Sequence, residues 1–146
     1  MIVGQDFLDL AKKWVAEPTE AEWRCAVSRA YYAAFHEAKQ LLSDLGFQVP
    51  RGDRAHAYLW RRLCNCSEAR VQIAGSDLNS LRGDRNKADY ELEHTLVHRQ
   101  ALLQVACAER IMQSLRAATQ EPAQSKIREA MKVYERDVLK DVSWRP

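Results

Sequence analysis

The residues from Thr19 to Gly46 constrain this fold more than any other stretch. Thr19 and Glu22 have the spacing of a capping box, in which the hydroxyl and the carboxylate satisfy backbone amides at a helix start. From Glu20 to Leu45 no glycine or proline interrupts the pattern, and Gly46 supplies the stop. Trp23, Val27, Ala30, Ala34, Ala38, Leu41 and Leu45 recur at helical spacing, and Tyr31, Phe35 and Leu42 widen the stripe. Such a helix is buried on two sides, and its alanines let neighbours approach closely. A helix of this length, sheathed by others, predicts a bundle.

The rest of the chain supplies the sheath. No β-alternation appears, and apolar periodicity predicts about five or six helices. The first spans Asp6 to Ala16, ended by Pro18. A short one follows Asp53 to Cys64, and a longer one runs from Glu68 to Leu92, weakened locally by Gly75 and Gly83. The next extends from Thr95 to Ala118, with Leu96, Leu103, Cys107, Ile111 and Leu115 inward. Pro122 opens the last, to Lys140, on a narrow stripe of Ile127, Ala130, Met131, Tyr134 and Val138. The tail "VSWRP" is frayed or anchored through Trp144. The expected fold is all-α: an antiparallel up-and-down bundle of about four to five main helices, residues 1–118. Residues 119–146 form a C-terminal helix and tail docked on the bundle or on a second subunit.

With 146 residues the chain can bury a sizeable core. No apolar run is long enough for a membrane span, and the N-terminus does not read as a secretory signal. A reduced, cytoplasmic protein follows, with Cys25 and Cys107 as small core residues. Cys64, Cys66 and His56 carry ligand atoms, but Cys-x-Cys is not zinc-knuckle spacing, and neither metal nor cofactor is expected. A net charge of +2 argues neither for nor against nucleic acid.

Local clusters carry that question. On a helical wheel of "LRGDRNKADYEL", Arg85 lands inside the apolar stripe with Ala74, Leu78, Leu81, Ala88 and Leu92. Arg82 and Asp89 border it; Asn86 and Tyr90 lie just beyond. An arginine keeps its charge, and burying that charge unpaired costs several kcal/mol. Three arrangements are acceptable. Arg85 pairs with Asp89 one turn on, or it snorkels outward, or the edge Arg82, Arg85, Asn86, Asp89 and Tyr90 lines a cleft or dimer seam where anions bind. Arg61 and Arg62 beside Trp60 and Tyr58 read either as a single-strand nucleic-acid contact or as a solvated basic edge. His36 is expected to be partly exposed.

"AVSRAYYAAFHEAKQLL" (Ala26 to Leu42) and "LRGDRNKADYEL" together resemble the HEPN family, closest to a small prokaryotic branch with Ser-Arg-x-Tyr-Tyr-x-x-Phe-His and a later Arg-x-x-Arg-x-x-Ala-Asp-Tyr. The resemblance spans about Gln5 to Ala118. It implies an all-α bundle that commonly dimerises. Many members are metal-independent ribonucleases, often toxins of toxin–antitoxin or defence loci. Others bind RNA or nucleotides without cleaving, or partner a minimal nucleotidyltransferase. The family's catalytic signature is Arg, a polar residue, a short spacer, then His. Arg85 and Asn86 match its start, but the histidine position falls on Tyr90 counted from Arg85 and on Asp89 counted from Arg82. His94 and His98 come too late. Tyrosine, with a pKa near 10, is a poor general base at neutral pH. The expected function is thus binding of RNA or a nucleotide by a catalytically degenerate homodimer, with Ser28 and Tyr32 lining the same cleft as Arg82 and Arg85. An antitoxin or a nucleotidyltransferase is a candidate partner. The alternatives are a ribonuclease using Arg85, Asn86 and Tyr90, and a helical adaptor without a nucleic-acid ligand.

Overall fold

A computed structural model describes residues 1–146. Its helices are α1 (Gly4–Val15), α2 (Glu20–Asp44), α3 (Arg54–Cys64), α4 (Ala69–Tyr90), α5 (His98–Ala117) and α6 (Ala123–Tyr134), followed by a π-helical turn (Glu135–Leu139). Thr19 caps α2, accepting from the Glu22 amide, but the other half of the expected box is not formed, because the Glu22 carboxylate accepts from the Thr19 hydroxyl and not from its backbone amide. Ala30, Ala33, Ala34 and Ala38 are fully buried, and α2 packs against α1, α3, α4 and α5 at once.

Side-chain contacts fix the directions of the bundle. Trp23 near the start of α2 stacks on His98 at the start of α5, and Glu37 further along α2 pairs with Arg116 near the end of α5. These two helices run parallel. Arg116 also reaches Gln5 at the start of α1, and Arg24 at the start of α2 reaches the end of α4. Hence α1 and α4 run opposite to α2 and α5, the up-and-down order expected. No helix is long and apolar enough to cross a membrane.

Arg24 also decides where α4 stops. Its guanidinium donates to the carbonyls of Ala88 (3.0 Å), Glu91 (3.2 Å) and His94. A cation on the last carbonyls is favourable to both the orphan acceptors and the helix dipole. The helix therefore ends at Tyr90, and Leu92, expected in the stripe, is exposed. Gly75 does not break α4. A Cβ there would lie 2.7 Å from Leu63 Cβ and 2.9 Å from the Cys64 nitrogen, so glycine is what lets α3 seat against α4.

Two further expectations are corrected. Leu103 is exposed, because Ala101, Val105 and Ala108 take the inward positions of α5. Met112 continues that stripe, and Leu103, two residues from both Ala101 and Val105, lies about 200° round the helix from them. Cys25 is exposed, on the solvent side of α2, while Cys107 is half-buried.

The C-terminal segment is seated on the bundle: Ile127 and Met131 belong to the same buried cluster as the core of α1–α5. Beyond α6 the helix widens into the π turn. The wider turn brings Glu135 inward and leaves Val138, predicted to be buried, in solvent. Glu135 is 0% and Arg62 3% exposed, and Arg62 Nε donates to Glu135 Oε2 at 2.8 Å. Burial alone would raise the Glu135 pKa, but hydrogen bonds from Ser143 and Arg62 hold it below the ordinary value. Glu135 also accepts from the Ser143 and Trp144 amides. The tail is thus anchored: the Trp144 indole donates to the Leu45 carbonyl at 2.9 Å, where Gly46 with φ +103° turns the chain.

Candidate functional site

The edge that carries Arg82 and Arg85 faces α2 and α3. Arg85 lies along the packing face with its side chain 16% exposed. Its Nε stands 2.9 Å from Asp89 Oδ2 one turn on, an ion contact in which the N–H does not point at the oxygen. Its Nη1 donates to Asn86 Oδ1 at 2.9 Å. Asp89 Oδ2 also accepts from Ser28 Oγ at 3.1 Å, tying α4 to α2. The guanidinium of Arg85 sits 5.1 Å from the centre of the Tyr32 ring and 5.6 Å from that of Tyr90. Tyr90 is 72% exposed, so it stands at the mouth of the cluster and not in its floor.

Arg82 is placed differently. It is half-buried, forms no ion pair, and its Nε is buried without an acceptor. Arg82 is also the charge felt most strongly by both Tyr31 and His56. Tyr31 is buried, as its stripe position predicts, and its hydroxyl shares a hydrogen bond with His56 Nδ1. Burial pushes the Tyr31 pKa far above its ordinary value, with Arg82 and Arg85 pulling it part of the way back. Burial likewise lowers the His56 pKa, and the two arginines lower it further, so the ring is neutral at pH 7.

All seven residues singled out in the sequence therefore share one region: Ser28 and Tyr32 on α2, and Arg82, Arg85, Asn86, Asp89 and Tyr90 on α4. Two were missed. Arg29 is half-buried with its guanidinium 5.1 Å from the Tyr32 ring, on which Arg85 also lies, and 5.2 Å from Phe7. Its signal was its place between Ser28 and the tyrosines. His56 was weighed only as a metal ligand, yet no three ligand-type side chains stand together, and its ring packs on Tyr31 and Phe35. Its signal was its position one and two turns before Leu59 and Leu63 on the inner face of α3. His36 is exposed, as expected.

Chemically the cluster presents two guanidinium groups on the Tyr32 ring, those of Arg29 and Arg85, with the charge of Arg82 acting on Tyr31 and His56, against one carboxylate, Asp89. The family model for the HEPN domain matches residues 4–138. The chain belongs to the HEPN family. The match takes in α6 and most of the π turn, which the two recognised motifs left outside. No match was found among curated proteins or among solved structures. Within this HEPN chain the two positions counted from the motif arginines hold the exposed Tyr90 and the ion-paired Asp89, and the histidine on which both arginines act is His56 from α3.

Proposed function

We propose that this HEPN protein binds RNA or a nucleotide through the anionic phosphate, held between Arg82 and Arg85 with Arg29, Asn86 and Tyr90 around them, and does not cleave it. Arg82 carries the reading. A half-buried guanidinium with no carboxylate partner and a buried Nε lacking an acceptor is an uncompensated donor. A phosphate oxygen supplies both the charge and the acceptor, and arginine is suited to such oxygens by its fork of donors. Ser28 and Asp89 position Arg85, and Tyr32 and Tyr90 offer faces on which a base can stack. The setting in a toxin–antitoxin or defence-type system, the homodimer and the antitoxin or nucleotidyltransferase partner rest on the resemblance to the small prokaryotic branch. Light scattering of the purified protein tests the dimer.

The experiment is a titration of labelled single-stranded RNA at several salt concentrations. Binding weakens with salt, and Arg82→Ala and Arg85→Ala each reduce the slope of log K against log salt by about 0.7, one phosphate contact on a single strand. No shortened product forms on a gel. RNA that is neither bound nor cut, with Arg85→Leu at least as stable as the parent, would favour a structural adaptor.

A ribonuclease reading has one observation behind it. His56, kept neutral beside both arginines, is a base of the right type, though its Nδ1 is engaged by Tyr31. Cleavage that disappears in both Arg85→Ala and His56→Ala would establish that reading in place of simple binding.

A further inference from the structure

Tyr32 also lines a groove of about 370 Å³ with Phe35, Lys39, Arg51 and His56, and His56 links that groove to the arginine edge. Pro50 belongs to the wall of this groove and to that of a neighbouring one of about 420 Å³. The second groove follows one face of α3, where Arg54, Tyr58 and Arg61 recur at helical spacing. Both volumes fall in the range of about 300–1,000 Å³ that takes small-molecule-sized groups.

The charges along this path are of one prevailing sign. Lys39, Arg51, Arg54 and Arg61 line it without ion-pair partners. The carboxylates are Asp53 in the first groove and Asp141 in the second. Arg62 also lines the second groove, but Glu135 neutralises it and its guanidinium caps Tyr58 at 3.5 Å. Arg61 lies 5.7 Å from the Trp60 ring, repeating on α3 the arginine–aromatic pairing that Arg85 makes with Tyr32. A chain whose net charge is only +2 gathers these free cations in a line that starts beside Arg85 and bends round Pro50. A flexible strand with one phosphate per nucleotide and splayed bases can follow a bent row of small grooves. A helical duplex cannot enter them.

We infer that a single strand of RNA held at Arg82 and Arg85 continues over Tyr32, past Pro50 and along α3 to Arg54 and Arg61, so that the protein reads a segment of several nucleotides and not a lone nucleotide. This extension rests on the arginine edge being the primary phosphate site.

Fluorescence anisotropy separates the two. The probes are a labelled oligouridylate of about 12 nucleotides, within the site sizes of about 4–16 that single-strand binders occupy, and a uridine dinucleotide read by competition. In Arg54→Ala/Arg61→Ala, two exposed and unpaired side chains are removed, and circular dichroism should report unchanged helicity. The expected result is weaker binding of the long strand, with its salt slope lower by about 1.4 for two lost phosphates, and unchanged binding of the dinucleotide. Arg82→Ala should weaken both. An unchanged slope in the double variant, or a long strand bound no more tightly than the dinucleotide by the parent protein, overturns the extension while the arginine site stands. Loss of dinucleotide binding in the double variant means that the primary site is misplaced. Binding of both probes by Arg82→Ala as tight as by the parent protein removes the primary site and the extension with it.

Discussion

Replacing Arg82 by methionine should make the protein more stable while removing its ligand. Methionine keeps the length and the apolar stem of the side chain and deletes the guanidinium. In the folded chain that guanidinium forms no ion pair, and its Nε is buried with no acceptor. An unsatisfied buried donor costs about 1–3 kcal/mol, and the half-buried setting of Arg82 puts it at the low end, about 1 kcal/mol. For a domain of this size that is a gain of about 2–4 °C in Tm. Arg85→Met should go the other way. It too removes a buried Nε without an acceptor, a gain of about 1 kcal/mol, but it forfeits a partly exposed ion contact to Asp89 and a stacking contact on Tyr32, each about 0.5–1 kcal/mol, so the balance is a small loss. Urea unfolding followed by circular dichroism, with RNA anisotropy on the same samples, gives both readouts. A gain for Arg82→Met, a loss for Arg85→Met and loss of RNA binding in both would mark Arg82 as held ready for an external anion. A loss of 1 kcal/mol or more for Arg82→Met would refute the reasoning, because the charge would then be serving the fold.

Three other outcomes follow from the same structure. Glu135→Ala leaves Arg62 buried without its partner and should cost about 3–5 kcal/mol in a denaturant titration, whereas Arg62→Met/Glu135→Leu together should lose far less. Gly75→Ala drives a Cβ into Leu63 and the backbone of Cys64 and should cost about 1–3 kcal/mol, with Gly83→Ala as the harmless control in open space. His36 and His56 both have folded pKa values below the ordinary 6.5. The unfolded chain takes up those protons first, so stability is full above about pH 6.5 and falls as the pH drops through the lowered folded values. His56→Gln should flatten that acid slope in urea midpoints measured from pH 8 to 5; an unaltered slope would place the titration elsewhere.

The bundle was legible because periodicity is local. Thr19, Gly46 and the alanines of α2 state their roles within one or two turns, and the wheel that put Arg85 on the packing face needed α4 alone. What sequence could not deliver depends on partners far along the chain. Arg24 ends α4 from the start of α2, so Leu92 falls outside a helix that its own pattern would continue. Leu103 gives way because the buried stripe of α5 runs through Ala101, Val105, Ala108 and Met112, a phase that the packed neighbours fix. Val138 gives way to Glu135 because a buried arginine on α3 draws the glutamate inward. In the site, the edge on α4 could be written down in advance. The difference between a paired Arg85 and an unpaired Arg82 could not, since it lies in which carboxylates the fold brings near. His56 arrives from a third helix, and only the closed bundle sets it beside the arginines.

The Glu135 anchor also sets an order of assembly. Leu139, Asp141 and Ser143 wall the groove along α3, and they leave the ribosome after every helix of the bundle. A nascent chain can therefore close α1–α5 and complete its arginine edge while the groove beside Arg54 and Arg61 still lacks one side. Translation would deliver the anion site first and the outer part of the track last, when Arg62 finally receives its glutamate.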